Sequence, residues 1–137
     1  MANEAIKRYA PSSQGDVIQD FSVSDNYALE KGAFVQLLDA RAVSGTITAG
    51  CACAGIVARE KIAGDGRTQV AVYREGDFDV VGSGTIAIGA PLVLEGTFNY
   101  VKSALVGGAT GASGAAVIGY ALEAASGDEV FQMRLKL

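Results

Sequence analysis

The sequence predicts a single all-β domain, a small β-barrel or β-sandwich, preceded by an extended N-terminal arm. Three observations carry that expectation. From Gly32 onward turn residues recur at short spacing, the runs between them are apolar or alternate with period two, and no window carries a convincing helical period. A chain of 137 residues suits one domain, with about two thirds of the unfolded surface buried on folding. Hydrophobic residues make up 50% of it. Much of that is Ala and Val, so a core of small side chains in thin layers is expected.

Residues 1–16 read as the arm, extended and ordered by a partner, and residues 17–137 as the β domain. Ala5 to Tyr9 suits an edge strand, but Pro11-Ser12-Ser13-Gln14-Gly15 breaks the run and offers little to bury. Val17, Phe21 and Val23 share a strand face with Gln19. Ser24-Asp25-Asn26 is a turn or a helix cap, and Gly32 stops the short run Tyr27–Lys31. Phe34–Leu38 is an apolar strand. Gly45 and Gly50 bracket Thr46-Ile47-Thr48. Over residues 52–62, Ile56 and Ile62 fall on one face, with Val57, Arg59 and Lys61 on the other. Gly64-Asp65-Gly66 reads as a hairpin turn, because glycine tolerates the positive φ such turns need. Val70 and Val72 alternate with Ala71 and Tyr73 up to a second expected turn at Glu75-Gly76-Asp77. Short strands follow at Phe78–Val81, Thr85–Ile88, Leu92–Leu94 and Phe98–Val101, each cut off by Gly or Pro. The cluster from Gly107 to Gly114 reads as a loop. The chain then closes with strand, tight turn and strand. Val117–Leu122 is the first strand, Ser126-Gly127-Asp128 the turn, and Phe131, Met133, Leu135 and Leu137 share the apolar face of the last strand.

Function classes fall away on composition. There is no His, which removes the usual general base and most zinc sites. A net charge of -4 gives no electrostatic reason to bind nucleic acid. The opening residues carry Glu4, Lys7 and Arg8 where a signal peptide would need an apolar core. The uncharged stretch 103–122 is too rich in Gly and Ser for a membrane helix. Cys51 and Cys53 sit one residue apart and would point to one strand face, as half of a metal or redox site requires. The chain holds no further soft ligand, so two small core side chains are expected instead, in a protein made in a reducing cytosol. Glu75, Asp77 and Asp79, at i, i+2 and i+4, gather three carboxylates on one face, suited to a calcium ion or paired acids, yet solvated side chains are the plainer reading. Neither phosphate-binding glycine template occurs, and Arg59, Arg67 and Arg74 lie scattered among acids. No catalytic residue, no cofactor and no metal ligand is expected.

Three stretches carry a resemblance. Val117-Ile118-Gly119-Tyr120-Ala121-Leu122, with the turn at Ser126-Gly127-Asp128 and the strand ending Arg134-Leu135, resembles the closing hairpin of the small capsid decoration (cement) proteins of tailed bacteriophages. Gly84, Ile86, Gly89 and Leu92 are similar to the mid-chain segment of the same proteins, and Met1–Lys7 to their short polar start. The middle of the chain, including both cysteines, matches nothing in that family. The resemblance implies a β-rich, non-enzymatic virion protein on the capsid exterior, made in the host cytoplasm, with the major capsid protein and further copies of itself, as dimer or trimer, for partners. From charge and composition, no nucleic-acid or membrane partner is expected. Within that reading, Ala5, Ile6, Lys7, Arg8 and Tyr9 are the residues expected to meet the capsid. A tail or fibre-associated β-domain with an adhesive role, and a small ligand-binding β-barrel, are the alternatives.

Overall fold

The computed structural model describes residues 5–9, 17–39, 42–96, 99–104 and 117–137. Among them are twelve strands and no helix. The expected loop at 107–114 lies outside the described residues, as do residues 1–4 and 10–16 of the arm. The strands are β1 (Ile6–Tyr9), β2 (Val17–Ser22), β3 (Phe34–Asp39), β4 (Ala42–Ser44), β5 (Cys53–Val57), β6 (Gln69–Gly82), β7 (Thr85–Ile86), β8 (Pro91–Leu94), β9 (Tyr100–Ser103), β10 (Gly119–Ala121), β11 (Ala125–Ser126) and β12 (Val130–Lys136).

The fold is all-β, and its pairings close on themselves twice. One ring runs β6-β2-β4-β3-β5 and returns to β6. The other runs β6-β9-β8-β10-β12 and also returns to β6. Two small barrels therefore share one 14-residue strand. Closure leaves neither ring with an open edge, which is how small β domains avoid edge-to-edge association.

The shared strand corrects one expectation. Glu75-Gly76-Asp77 is not a turn but the middle of β6. Lys136, Leu135 and Arg134 of β12 pair with these three residues, and β2 continues the ladder from Val17 opposite Glu75. With partners on hand for its backbone groups, the chain gains nothing by turning. Gly76 lets the strand bend there, at φ 145°, a value side-chain-bearing residues rarely adopt.

Each barrel fills itself. The first holds Phe21, Leu29, Val35, Val43, Val70 and Val72, close to the expected core of small side chains. The second is built on larger ones, with Phe78, Leu92, Leu94, Phe131, Met133 and Leu135 at its centre. All five residues of β5 are buried because the strand has a core on either side. Ala54 and Val57 face the first barrel, whereas Cys53 and Ile56, with Phe34 of β3, face the second. The two barrels thus pack through the outer face of β3 and β5.

A single side chain clamps that junction. Asn99, just before β9, is 1% exposed. Its Oδ1 accepts from the Phe34 N–H at 2.8 Å and its Nδ2 donates to the Gly32 carbonyl at 2.8 Å. The same carbonyl accepts the Ala5 N–H at 2.8 Å. Three segments distant in sequence meet on one peptide group.

The closing hairpin is partly as expected. Phe131, Met133 and Leu135 point inward, and Gln132, Arg134 and Lys136 outward, whereas Leu137, past the end of the strand, is exposed. The connection is longer than a tight turn. Residues 122–129 lead from β10 to β12 and include β11, which pairs with β7 (Ala125 with Ile86), so Ser126-Gly127-Asp128 turns β11 into β12. The run Thr85–Ile88 likewise yields only the two-residue β7, ended by the turn at Gly89.

Candidate functional site

Alternation along β6 brings Glu75, Asp77 and Asp79 onto the outer face of the second barrel, as their spacing predicts. What stands opposite them decides their role. The register pairs Gln132 with Asp79, Arg134 with Asp77 and Lys136 with Glu75. Arg134 Nε is ion-paired with Asp77 Oδ1. Opposite charges directly across an antiparallel pair stabilise it by about 0.2–1 kcal/mol each. Two of the three acids, Glu75 and Asp77, therefore stand opposite a cation, and Asp77 is ion-paired with it. Among the described residues no group of three or more acidic or Cys side chains could hold a metal ion.

The arm residues meet the other side of this surface. β1 pairs with β6, Ile6 opposite Asp79 and Tyr9 opposite Asp77, and β2 takes over at Glu75. Ala5 is buried against the second core and Ile6 is half exposed. The side-chain positions of Lys7, Arg8 and Tyr9 lie outside the described set. The edge strand suggested by residues 5–9 is thus formed on the chain's own β6.

The cysteines are core residues. Cys53 is buried against the second core and Cys51 packs beside it half-buried, both as free thiols. Burial, opposed to a lesser degree by the Gly55 backbone, pushes the Cys53 thiol up to about 12, and its Sγ lies 3.7 Å from the Gly55 carbonyl, to which it donates. A thiol that stays protonated is neither nucleophile nor metal ligand.

Lys61, which alternation sets on one face with Val57 and Arg59, is buried, at 1% exposure. β5 ends at Val57, so the alternation is broken before residue 61. The Lys61 ammonium reaches Asp65 Oδ1 at 3.2 Å, Asp25 Oδ1 at 3.4 Å, and the carbonyls of Asp25 and Ile62 at 3.0 and 3.2 Å. Gly66 N–H also donates to Asp25 Oδ1, at 2.8 Å. The network pins the 61–67 loop to the Ser24–Asn26 turn at one end of the first barrel. Asp65 is held well below the usual carboxylate range, first by the Arg67 backbone N–H, then by the Arg67 and Lys61 side chains and the Ile62 N–H, with desolvation opposing. An acid lowered in the folded state contributes stability that is complete above its unfolded value, about pH 4, and is lost as pH falls below it. Asp65→Asn is therefore expected to be less stable than wild type at pH 7, with the gap narrowing below about pH 4. Denaturant titrations across that range test this, and a gap that stays constant down to pH 2.5 would refute it.

None of this assembles a catalytic set. Both barrel interiors are occupied by their own side chains, and the surface grooves are open ones, such as the roughly 430 Å³ groove beside Tyr27, Glu30, Ser44 and Thr46. What the fold does present is surface.

No family model matches the chain, and no curated protein does. Three chains of known structure match. One is the head fiber gp8.5 N base of bacteriophage phi29, with a TM-score of 0.54 over 88% of this chain and 93% of that one. The two share the fold. Sequence identity is 15%.

Proposed function

We propose that this chain is a structural protein of a phage virion, attached to the outside of the head, where it stabilises the shell by bridging capsomers. The observation that carries the reading is the fold shared with a head fiber base over nearly the whole of both chains. The resemblance of the closing hairpin and the Gly84–Leu92 segment to decoration proteins supports it independently. The physics suits the role. A shell repeats one site many times, so a modest contact per copy, made only with the assembled state, stabilises the whole. Two barrels fused on one strand form a stiff body, which bridges neighbours better than a hinged one. Copies docked around a symmetry axis also favour a homo-oligomer.

Co-sedimentation with expanded, undecorated heads of the cognate phage is the test. Saturable binding at a fixed ratio to the shell protein, with heads that resist heat better, is the expected result. The phi29 protein, a head fiber base, favours a second reading, the base of a head-attached fibre. That reading predicts equally saturable binding without any gain in heat resistance. No binding at all removes both. The arm is tested in the same assay. Deleting residues 1–15 also removes β1 from β6, so its effect is read beside the double charge reversal Lys7→Glu with Arg8→Glu, which leaves the arm in place. Both changes are expected to weaken binding about tenfold, and unchanged occupancy would remove residues 5–9 from the contact.

A further inference from the structure

One end of the second barrel is unusual for a soluble surface. Ile88 is 74% exposed, Val130 66%, Tyr120 49% and Leu122 44%. Backbone hydrogen bonds set them side by side. Gly89 N–H donates to the Ala121 carbonyl, which places Ile88 next to Leu122, and Leu122 N–H donates to the Gln132 carbonyl, two residues along β12 from Val130. Tyr120 precedes Leu122 on the same outer face, because Ala121 between them points into the core. Side chains of this size grouped together outside a core mark interaction sites.

Acids outnumber cations around them, and Arg134, the cation across from Tyr120, is taken up by its ion pair with Asp77. Glu123, Asp128 and Glu129 border the group, and Lys102 is the sole Lys or Arg between Arg74 and Arg134. Two of the acids are fixed in place. Glu129 Oε1 accepts the Ser126 N–H at 2.6 Å, and Glu123 Oε1 accepts the Gln132 N–H at 2.8 Å. An apolar centre inside a carboxylate rim fits a partner with an apolar centre and a Lys/Arg rim. A two-fold contact with a second copy would set the acidic rims against each other, and anionic lipid or nucleic acid would be repelled.

We infer that this end of the second barrel, centred on Ile88 and Leu122, is the face that docks on the shell protein, against an apolar patch rimmed by Lys and Arg. The inference rests on the head-attached reading above and names the surface that carries it.

The full-length protein is titrated onto expanded cognate heads at about 50 and 300 mM salt, on either side of the physiological Debye length. The variants are Ile88→Asp with Leu122→Asp, Asp128→Asn, and Ile62→Asp as a control on the first barrel, where Ile62 is 62% exposed. Wild type and the Ile62 variant are expected to bind alike, and more weakly at high salt. The double variant should lose at least about tenfold in affinity, and Asp128→Asn should bind more weakly with a shallower salt dependence. Thermal melts confirm folding, and if the double variant does not fold, Leu122→Ser takes its place. Wild-type binding matched by a folded double variant overturns the face and leaves the head-attached reading standing. Failure of wild type to bind heads overturns that reading, and the partner named here with it. A double variant that changes oligomeric state but not head binding overturns the inference in favour of contact between copies.

Discussion

Gly119→Ala is expected to destabilise the protein by about 3 kcal/mol or more, roughly 10 °C in Tm for a domain of this size. Gly119 lies where β10 passes closest to β12, paired with Leu135. A Cβ there would sit on the Arg134 carbonyl oxygen, and 2.9 Å from Met133 Cε. The methionine end has room to swing away, but the carbonyl belongs to the ladder that seals the second barrel, so the seam itself must open. Gly84→Ala is the control. That glycine has a positive φ, 73°, which Gly119 does not, and a Cβ would meet open space, so only a backbone term of about 1 kcal/mol applies. Urea unfolding of both variants compares them directly. A Gly119 variant no less stable than the Gly84 variant would mean that β10 adjusts freely and the close approach carries no cost.

Asn99→Ala should be nearly as damaging, at about 3 kcal/mol. The change leaves the buried Phe34 N–H without its acceptor, for about 1–3 kcal/mol. It also puts alanine at φ 60°, which asparagine tolerates and alanine does not, for roughly 1 kcal/mol more. Asn99→Gly removes the second cost and keeps the first, so it should fall about 1 kcal/mol short of the alanine variant. The Gly32 carbonyl keeps its bond from Ala5 in both. Equal losses for alanine and glycine would show that the backbone term is absent. A loss below about 0.5 kcal/mol for both would show that the clamp is not holding the junction.

Both residues bear on how far the letters of the chain reveal its fold. The period-two alternation of Phe131, Met133 and Leu135 and the turn glycines made the all-β class and the last strand readable, because these depend on neighbours in sequence. Gly119 was visible as part of a motif, yet its reason, contact with a carbonyl fifteen residues on, belongs to the closed ring. Glu75-Gly76-Asp77 has the composition of a turn, and only partners from distant segments make it strand. The burial of Lys61 was not legible because its acceptors include carbonyl oxygens, which carry no side-chain signature. Asn99 gave no sign at all, since its partners are peptide groups 65 and 67 residues away. Of the surface, the carboxylate face of β6 was legible from spacing. The Ile88–Leu122 group was not, because barrel closure alone decides which apolar residues are left outside.

The shared strand also orders events in time. The first ring draws on residues 17 to 75 and is complete once β6 has been made. The second ring must wait for Val130–Lys136, since both of its final seams, to β6 and to β10, belong to β12. During synthesis, which delivers the N-terminal part first, the early barrel stands with Phe34, Cys53 and Ile56 bare on its outer wall. That wall is then the template on which the later strands condense, and β12, the last of these twelve to be made, is the one that closes the second ring.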